Sequence, residues 1–258
     1  MYISFTNRNL GYSGERFIGF DNYVRLFNWE PLPTVLTNTA LFVGAVVILQ
    51  LGTGLGIALL LNQKFFGRKL VRSIAIVPWI VPGVIIAIMF QQIFGASELG
   101  IANAIMVRLG FDTQNWLADP TLAMTIMILS VAWRGIPLTI ILQLGGLQTI
   151  PKDLYEAAKL DGAKSWQTLW HVVIPSLRPI LLINAIMATS GTLNHIDIPL
   201  TLTGGGPARA TEVISVSLYQ QGFELLDAGY AASIGTVILV LNLVLTLVYL
   251  RIWSERRS

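Results

Sequence analysis

Ala228-Gly-Tyr-Ala-Ala-Ser-Ile-Gly-Thr-Val-Ile-Leu-Val-Leu-Asn-Leu-Val-Leu-Thr-Leu-Val-Tyr-Leu250 runs for 23 residues without a charge. A helix of that length reaches about 34 Å, enough to cross the hydrocarbon of a bilayer. No water is available there, so every backbone polar group must be paired inside the segment. Four further stretches read the same way. Pro31 to Gln63 and Ser73 to Ser97 carry no charge, Pro120 to Pro151 is interrupted only by Arg134, and Val172 to Asn194 holds only Arg178, near its start. The expectation is an all-α polytopic membrane protein forming one domain over 1–258. Its extracytoplasmic segment is 1–34 and its transmembrane helices are 35–62, 73–95, 120–147, 172–194 and 228–252. Pro78 and Pro82 are expected to bend the second, and Gly52, Gly54 and Gly56, the outer two in GxxxG spacing, to permit close helix packing.

Composition agrees. Hydrophobic residues are 54% and charged residues 12% of 258, where soluble domains carry about 25% charged. A net charge of +3 is too small to point to nucleic acid. The absence of cysteine excludes disulfides, Cys-ligated metals and a thiol nucleophile. His171 and His195 stand apart, so no histidine-built metal site is expected; His195 reads as a hydrogen-bonded structural residue.

Orientation follows from the basic residues. Lys64, Arg68, Lys69 and Arg72 follow the first helix; Lys152, Lys159, Lys164 and Arg178 follow the third; Arg251, Arg256 and Arg257 form the tail. The alternate connections hold only Arg108 and Arg209, among several acids. The C-terminus is therefore cytoplasmic. Five spans put the N-terminus outside, yet residues 1–30 have no basic region followed by an apolar one to carry it there. The expectation is that a further helix precedes Met1.

The loop at 150–171 is the most informative. Pro151 suits a helix start, Asp153 and Glu156 complement the helix dipole, and Gly162 can take the positive φ that ends the helix. Leu154, Ala157, Ala158 and Leu160 give a small apolar face. Glu156-Ala157-Ala158, three residues ending in Asp161, Gly162, and then nine residues to Val172, Ile174 and Pro175 resemble the EAA loop of ABC-importer permeases. The departures, Val172 and Ile174 for the usual Ile and Leu, are conservative.

A second resemblance narrows the family. Asp197-Ile-Pro-Leu-Thr-Leu-Thr203-Gly204-Gly205-Gly206-Pro207 is similar to an extracytoplasmic loop of the carbohydrate-importing permeases related to the maltose and glycerol-3-phosphate systems, as are Phe17 to Tyr23 and Trp133-Arg134 followed by Pro137. The resemblance implies six helices per subunit. It also implies an assembly with a second permease, an ABC ATPase dimer docked on Glu156, Ala157, Ala158, Asp161 and Gly162, and an extracytoplasmic solute-binding protein. No Gly-x-x-x-x-Gly-Lys-Ser/Thr loop occurs. The chain is then not an enzyme and carries no cofactor, ATP and Mg being bound by the partner ATPase.

Arg134 lies about 21 Å into its helix, near mid-membrane, where a charge faces a watery path or a partner group. It either lines the path or ties the helix where Gly135 and Pro137 weaken it. Trp133 offers a face for sugar stacking or for packing. Gln91, Gln143 and Asn194 suit a hydroxyl-rich ligand or bridge helices, and Asp197 is expected near the outer face. The reading is a permease subunit of an ATP-driven importer for a sugar or sugar-like solute in a bacterial or archaeal cytoplasmic membrane. An ABC permease for another solute shares the EAA loop, whereas an ion-coupled transporter would need acids or histidines inside the spans.

Overall fold

A computed structural model describes residues 1–12 and 14–254. Arg256 and Arg257 of the basic tail lie outside the described residues. The N-terminal segment is a small aromatic cap. Phe5 packs against Phe17, Phe20 and Tyr23, and an isolated bridge joins Thr6 to Phe17. Asn22, buried in α1 (Asp21–Phe27), donates to the carbonyls of Ser4 at 3.0 Å and Thr6 at 2.8 Å. Arg25 pairs with Asp227 at 2.6 Å and lies 4.1 Å from the Tyr230 ring centroid, tying the cap to the start of the last helix.

The first long helix is α2 (Leu32–Asn62). After it, Gly67 takes φ +81° and leads into α3 (Arg68–Ile80), followed by α4 (Gly83–Ile93). Together α3 and α4 correspond to the span expected over 73–95, and that span is not continuous: the two helices bend by 97°. Pro82 is the cause. It cannot donate to the Pro78 carbonyl, and its ring drives Val81 into the extended region, where ψ is 129°.

Between α4 and the next long helix, α5 (Ile101–Arg108) is held by Asn103, which is fully buried. Its Nδ2 donates to the carbonyls of Gly95, Ala96 and Gln114, and its Oδ1 accepts from the Gln114 N–H and the Trp116 indole. One side chain thus closes the whole turn from 95 to 116. The helix α6 (Pro120–Thr149) begins as its sequence dictates, with the Asp119 carboxylate accepting from Thr121 and Leu122 N–H, and Pro120 in the first turn.

The cytoplasmic loop of the sequence reading contains α7 (Lys152–Leu160) and α8 (Ser165–Thr168). A five-residue π turn, Leu169–Val173, joins α8 to α9 (Ile174–Leu193), so that Ser165–Leu193 forms one apolar rod. The Ile174 N–H reaches back to the Leu169 carbonyl. Widening the turn just before Pro175, which has no N–H to give, lets the helix pass the proline. Two short helices, α10 (Asp197–Leu202) and α11 (Ile214–Tyr219), precede the last span, α12 (Ala228–Ser254). Four of these helices are long and apolar enough to cross a membrane, and five spans result if α3 and α4 are counted together.

The core is stacked in three layers along α2. Leu32 and Val35 pack with Leu26, Ile214 and Tyr230; Phe42 and Val46 with Ile86, Met127, Ile198 and Val216; Ala58 and Leu61 with Ile140, Leu147 and Leu177. Lipid is as apolar as leucine, so close approach and polar bridges must hold such helices together. The α2–α6 contact has both. A Cβ on Gly54 would lie 2.2 Å from Thr139 Cγ2, and the Gln143 amide donates to the Leu51 carbonyl at 3.2 Å. Gly52 and Gly56, expected to mediate close packing, instead face outward with nothing within 4 Å of a would-be Cβ. A helix turns 100° per residue, so the middle glycine of the three faces α6 while its neighbours at ±2 point away.

Candidate transport path and coupling surface

Midway along α6, Trp133-Arg134-Gly135 precedes Pro137, which leaves the Trp133 carbonyl without its helical partner. Opposite stands Gln50 of α2. It fits because Gly135 has no side chain: a Cβ there would sit 2.1 Å from Gln50 Nε2, and that amide reaches toward the Val131 carbonyl at 3.4 Å. From α9, Asn184 approaches; its Oδ1 accepts from the Thr139 hydroxyl at 3.3 Å. Around these residues lies a cavity of about 160 Å³, also lined by Trp79, Thr192 and His195. Its polar equipment is incompletely used. The Asn184 Nδ2 has no partner although the residue is 2% exposed, and the buried Arg134 Nε has none either.

At one side of this cavity the α3–α4 elbow meets α10. Asp197, the first residue of α10, presses its carboxylate on Gly83, the first residue of α4, where a Cβ would fall 1.8 Å from Oδ2. Its Oδ1 lies 3.1 Å from His195 Nε2, though not aligned as a hydrogen bond. The side chains of Asp197 and Arg134 are thus gathered around one histidine.

Of the path residues expected from sequence, Arg134 lines the cavity and Asp197 adjoins it through His195. The others are placed elsewhere. Gln91 donates to the carbonyls of Thr201 at 2.7 Å and Leu202 at 3.1 Å, closing the end of α10. Gln143, fully buried, bridges α6 to α2. Trp133 packs on Phe90 with ring centroids 6.2 Å apart. Asn194 bonds to the Ser190 carbonyl of its own helix at 2.8 Å. Gln50, Thr139, Asn184, Thr192 and His195 are not among the residues the sequence pointed to as lining a path. Gln50 and Asn184 carry a signal, being amides within uncharged spans; Thr139 and Thr192 carry none.

The loop Thr203 to Pro207 is fastened from within. Gly204 and Gly205 have φ of +60° and +91°, which only glycine adopts freely, and Thr211 donates to Thr203 Oγ1 at 2.7 Å. Glu212, 4% exposed, anchors the segment leading into α11: its carboxylate accepts from Arg209 at 2.9 Å and from Ser217 at 2.7 Å. Asn38 of α2 donates to the carbonyls of Arg209 and Glu212, docking the loop on the helix bundle.

On the opposite face α7 has no buried residue. Pro151 stands at its N-cap, one place before the first helical residue. At the other end Gly162 takes φ +75°, with Gly162 N–H bonded to Lys159 and Ala163 N–H to Ala158, the paired bonds of a Schellman stop. Glu156 and Ala157 are exposed, and Ala158, Asp161 and Gly162 line a concavity of about 320 Å³ whose far wall is Gln167, Thr168 and His171. Tyr155 turns inward to the α6–α9 core, and burial raises its phenol above the ordinary value.

The chain is similar to known permeases over nearly all its length. It is 34% identical over 254 residues to the sulfoquinovosyl glycerol transport system permease protein SmoG of Agrobacterium fabrum, covering 98% of this chain and 82% of that one. It is 36% identical over 242 residues to the trehalose/maltose transport system permease protein MalF of Thermococcus litoralis, covering 94% and 81%. Among solved structures, a bacterial ABC transporter involved in the import of the acidic polysaccharide alginate matches with TM-score 0.82 and 25% identity over 93% of this chain and 84% of that one. Residues 50–256 match the family described as binding-protein-dependent transport system inner membrane component. The chain therefore belongs to that family, the membrane-embedded permease subunits of ABC importers.

Proposed function

We propose that this chain is one of two permeases in an ATP-driven importer of a sugar or sugar-like solute, working by alternating access. The observation that carries the reading is the combination, in one chain, of a polar mid-span cavity around Arg134 with an exposed helix-and-concavity at Glu156 to Gly162. The sugar assignment is supported by relatives whose names state sulfoquinovosyl glycerol, trehalose and maltose, and by the alginate importer of the same fold. The alginate transporter has also been solved in complex with an alginate pentasaccharide-bound periplasmic protein, which supports a solute-binding protein as the outer partner.

In this reading α7 seats a protruding surface of the ATPase, which binds ATP and Mg. Movement there enters the rod from Ser165 to Leu193, whose far end carries Asn184 and Thr192 into the cavity. The C-terminus and α7 lie in the cytoplasm and the Thr203 to Pro207 loop lies outside. Reconstitution with the ATPase, second permease and binding protein tests this. Glu156→Lys and Gly162→Pro are expected to abolish co-purification of the ATPase and sugar uptake together; retention of both in either variant would defeat the coupling assignment.

A further inference from the structure

We infer that the cavity around Arg134 takes an acidic sugar, one carrying a carboxylate or sulfonate beside its hydroxyls, and that Arg134 is the residue that selects the charge. This rests on the permease reading above and deepens it. The cavity walls contain no acid: Arg134 is joined there by the amides of Gln50 and Asn184, the hydroxyls of Thr139 and Thr192, and His195. Among the described residues Arg134 makes no ion pair. The one carboxylate nearby, Asp197, makes no ion pair with Arg134 and lies 3.1 Å from His195.

A guanidinium in mid-span is costly without a counter-charge. A transported solute that brings the counter-charge removes that cost for as long as it is bound and restores it on departure. The second observation is independent of the charge. Asn184 is only 2% exposed and still has an unpartnered Nδ2, so a donor waits in the same cavity for an acceptor the protein does not supply. Arg134 Nε is a second such donor. Two unused N–H groups in walls that contain no acid describe a site for acceptor-rich, negatively charged ligand atoms. The guanidinium fork matches a planar carboxylate or a sulfonate edge in two parallel bonds.

The test is equilibrium binding to the intact complex of both permeases and the ATPase in nanodiscs, without binding protein, so that selectivity belongs to the membrane subunits. The probes are cellobiose and its uronic acid, cellobiouronate. Wild type is expected to favour the uronate by about tenfold or more, the ratio given by one charge-assisted hydrogen bond. Arg134→Gln should bring the ratio to near one, and Arg134→Lys should keep part of the preference. Equal affinity for the two sugars in wild type, or a ratio unaltered in Arg134→Gln, overturns the inference while leaving a sugar permease. Binding of neither sugar overturns the inference, whereas the sugar reading is tested separately by uptake in the reconstituted complex.

Discussion

Gly54→Ala is the sharpest probe of how this bundle is held. The added Cβ would lie 2.2 Å from Thr139 Cγ2 and 2.9 Å from Thr139 Cβ. Carbon atoms rest at about 3.5 Å or more. The methyl can rotate away, but Thr139 Cβ is fixed to the α6 backbone, so α2 and α6 must part by about 0.6 Å at that level, the shortfall from that contact distance. A gap of this size forfeits a quarter or more of the dispersion well for every pair it opens. It also stretches the Gln50–Val131 bond, already 3.4 Å. Overpacking of this kind costs about 1–3 kcal/mol, offset by up to about 1 kcal/mol from the better helix propensity of alanine. The thermal unfolding midpoint of the purified complex should fall by several degrees. Gly52→Ala and Gly56→Ala, with open space around them, should leave the fold of the chain as stable or slightly more so. Adding Thr139→Gly to Gly54→Ala removes both clashing carbons and should recover part of the loss, giving a coupling of about 1 kcal/mol in a double-mutant cycle. If Gly54→Ala melts with wild type, or if Thr139→Gly makes the double variant simply additive, the packing argument is refuted.

Gly83→Ala places a carbon 1.8 Å from Asp197 Oδ2 and should lower stability by about 1–3 kcal/mol and slow uptake; Asp197→Gly in the same chain should restore the melting midpoint. Asn103→Leu strands three carbonyls and two N–H groups at once, for a loss of about 3 kcal/mol, seen as faster protease cleavage between 95 and 119 in right-side-out vesicles. Gly162→Val forces a β-branched residue to φ +75°, costing about 1–2 kcal/mol, and should weaken ATPase retention during purification without altering sugar binding.

The helices are legible in the sequence because uncharged length is a direct demand of the bilayer, and α7 because Asp153, Gly162 and Pro151 are local signals. The elbow at Val81–Pro82 is legible only as a bend: sequence marks where a ladder bond is lost, but not the 97° at which α4 leaves α3 to lie against α10. Of the α2–α6 contact the sequence offers Gly54 as one of three packing glycines, but such spacing names a stripe of small residues and not the neighbour it faces. For the cavity, Arg134 declares itself by charge. Asn184 and Gln50 can be drawn from the same logic, whereas His195 lines the site because it directly follows the end of α9, beside Thr192. Gln91 and Gln143 illustrate the converse: amides in spans that serve other helices' backbone groups.

The π turn at Leu169–Val173 gives the spacing of the cytoplasmic loop an angular meaning. One extra residue in a helical ladder rotates everything before it, relative to everything after it, by about 100°. Trp166 and the far wall of the α7 concavity are set at their present azimuth by that single inserted peptide. The nine residues between Gly162 and Val172 are therefore a phase as much as a distance. Removing one would close the widened turn in front of Pro175 and aim the coupling surface about a quarter-turn away from whatever pushes on it.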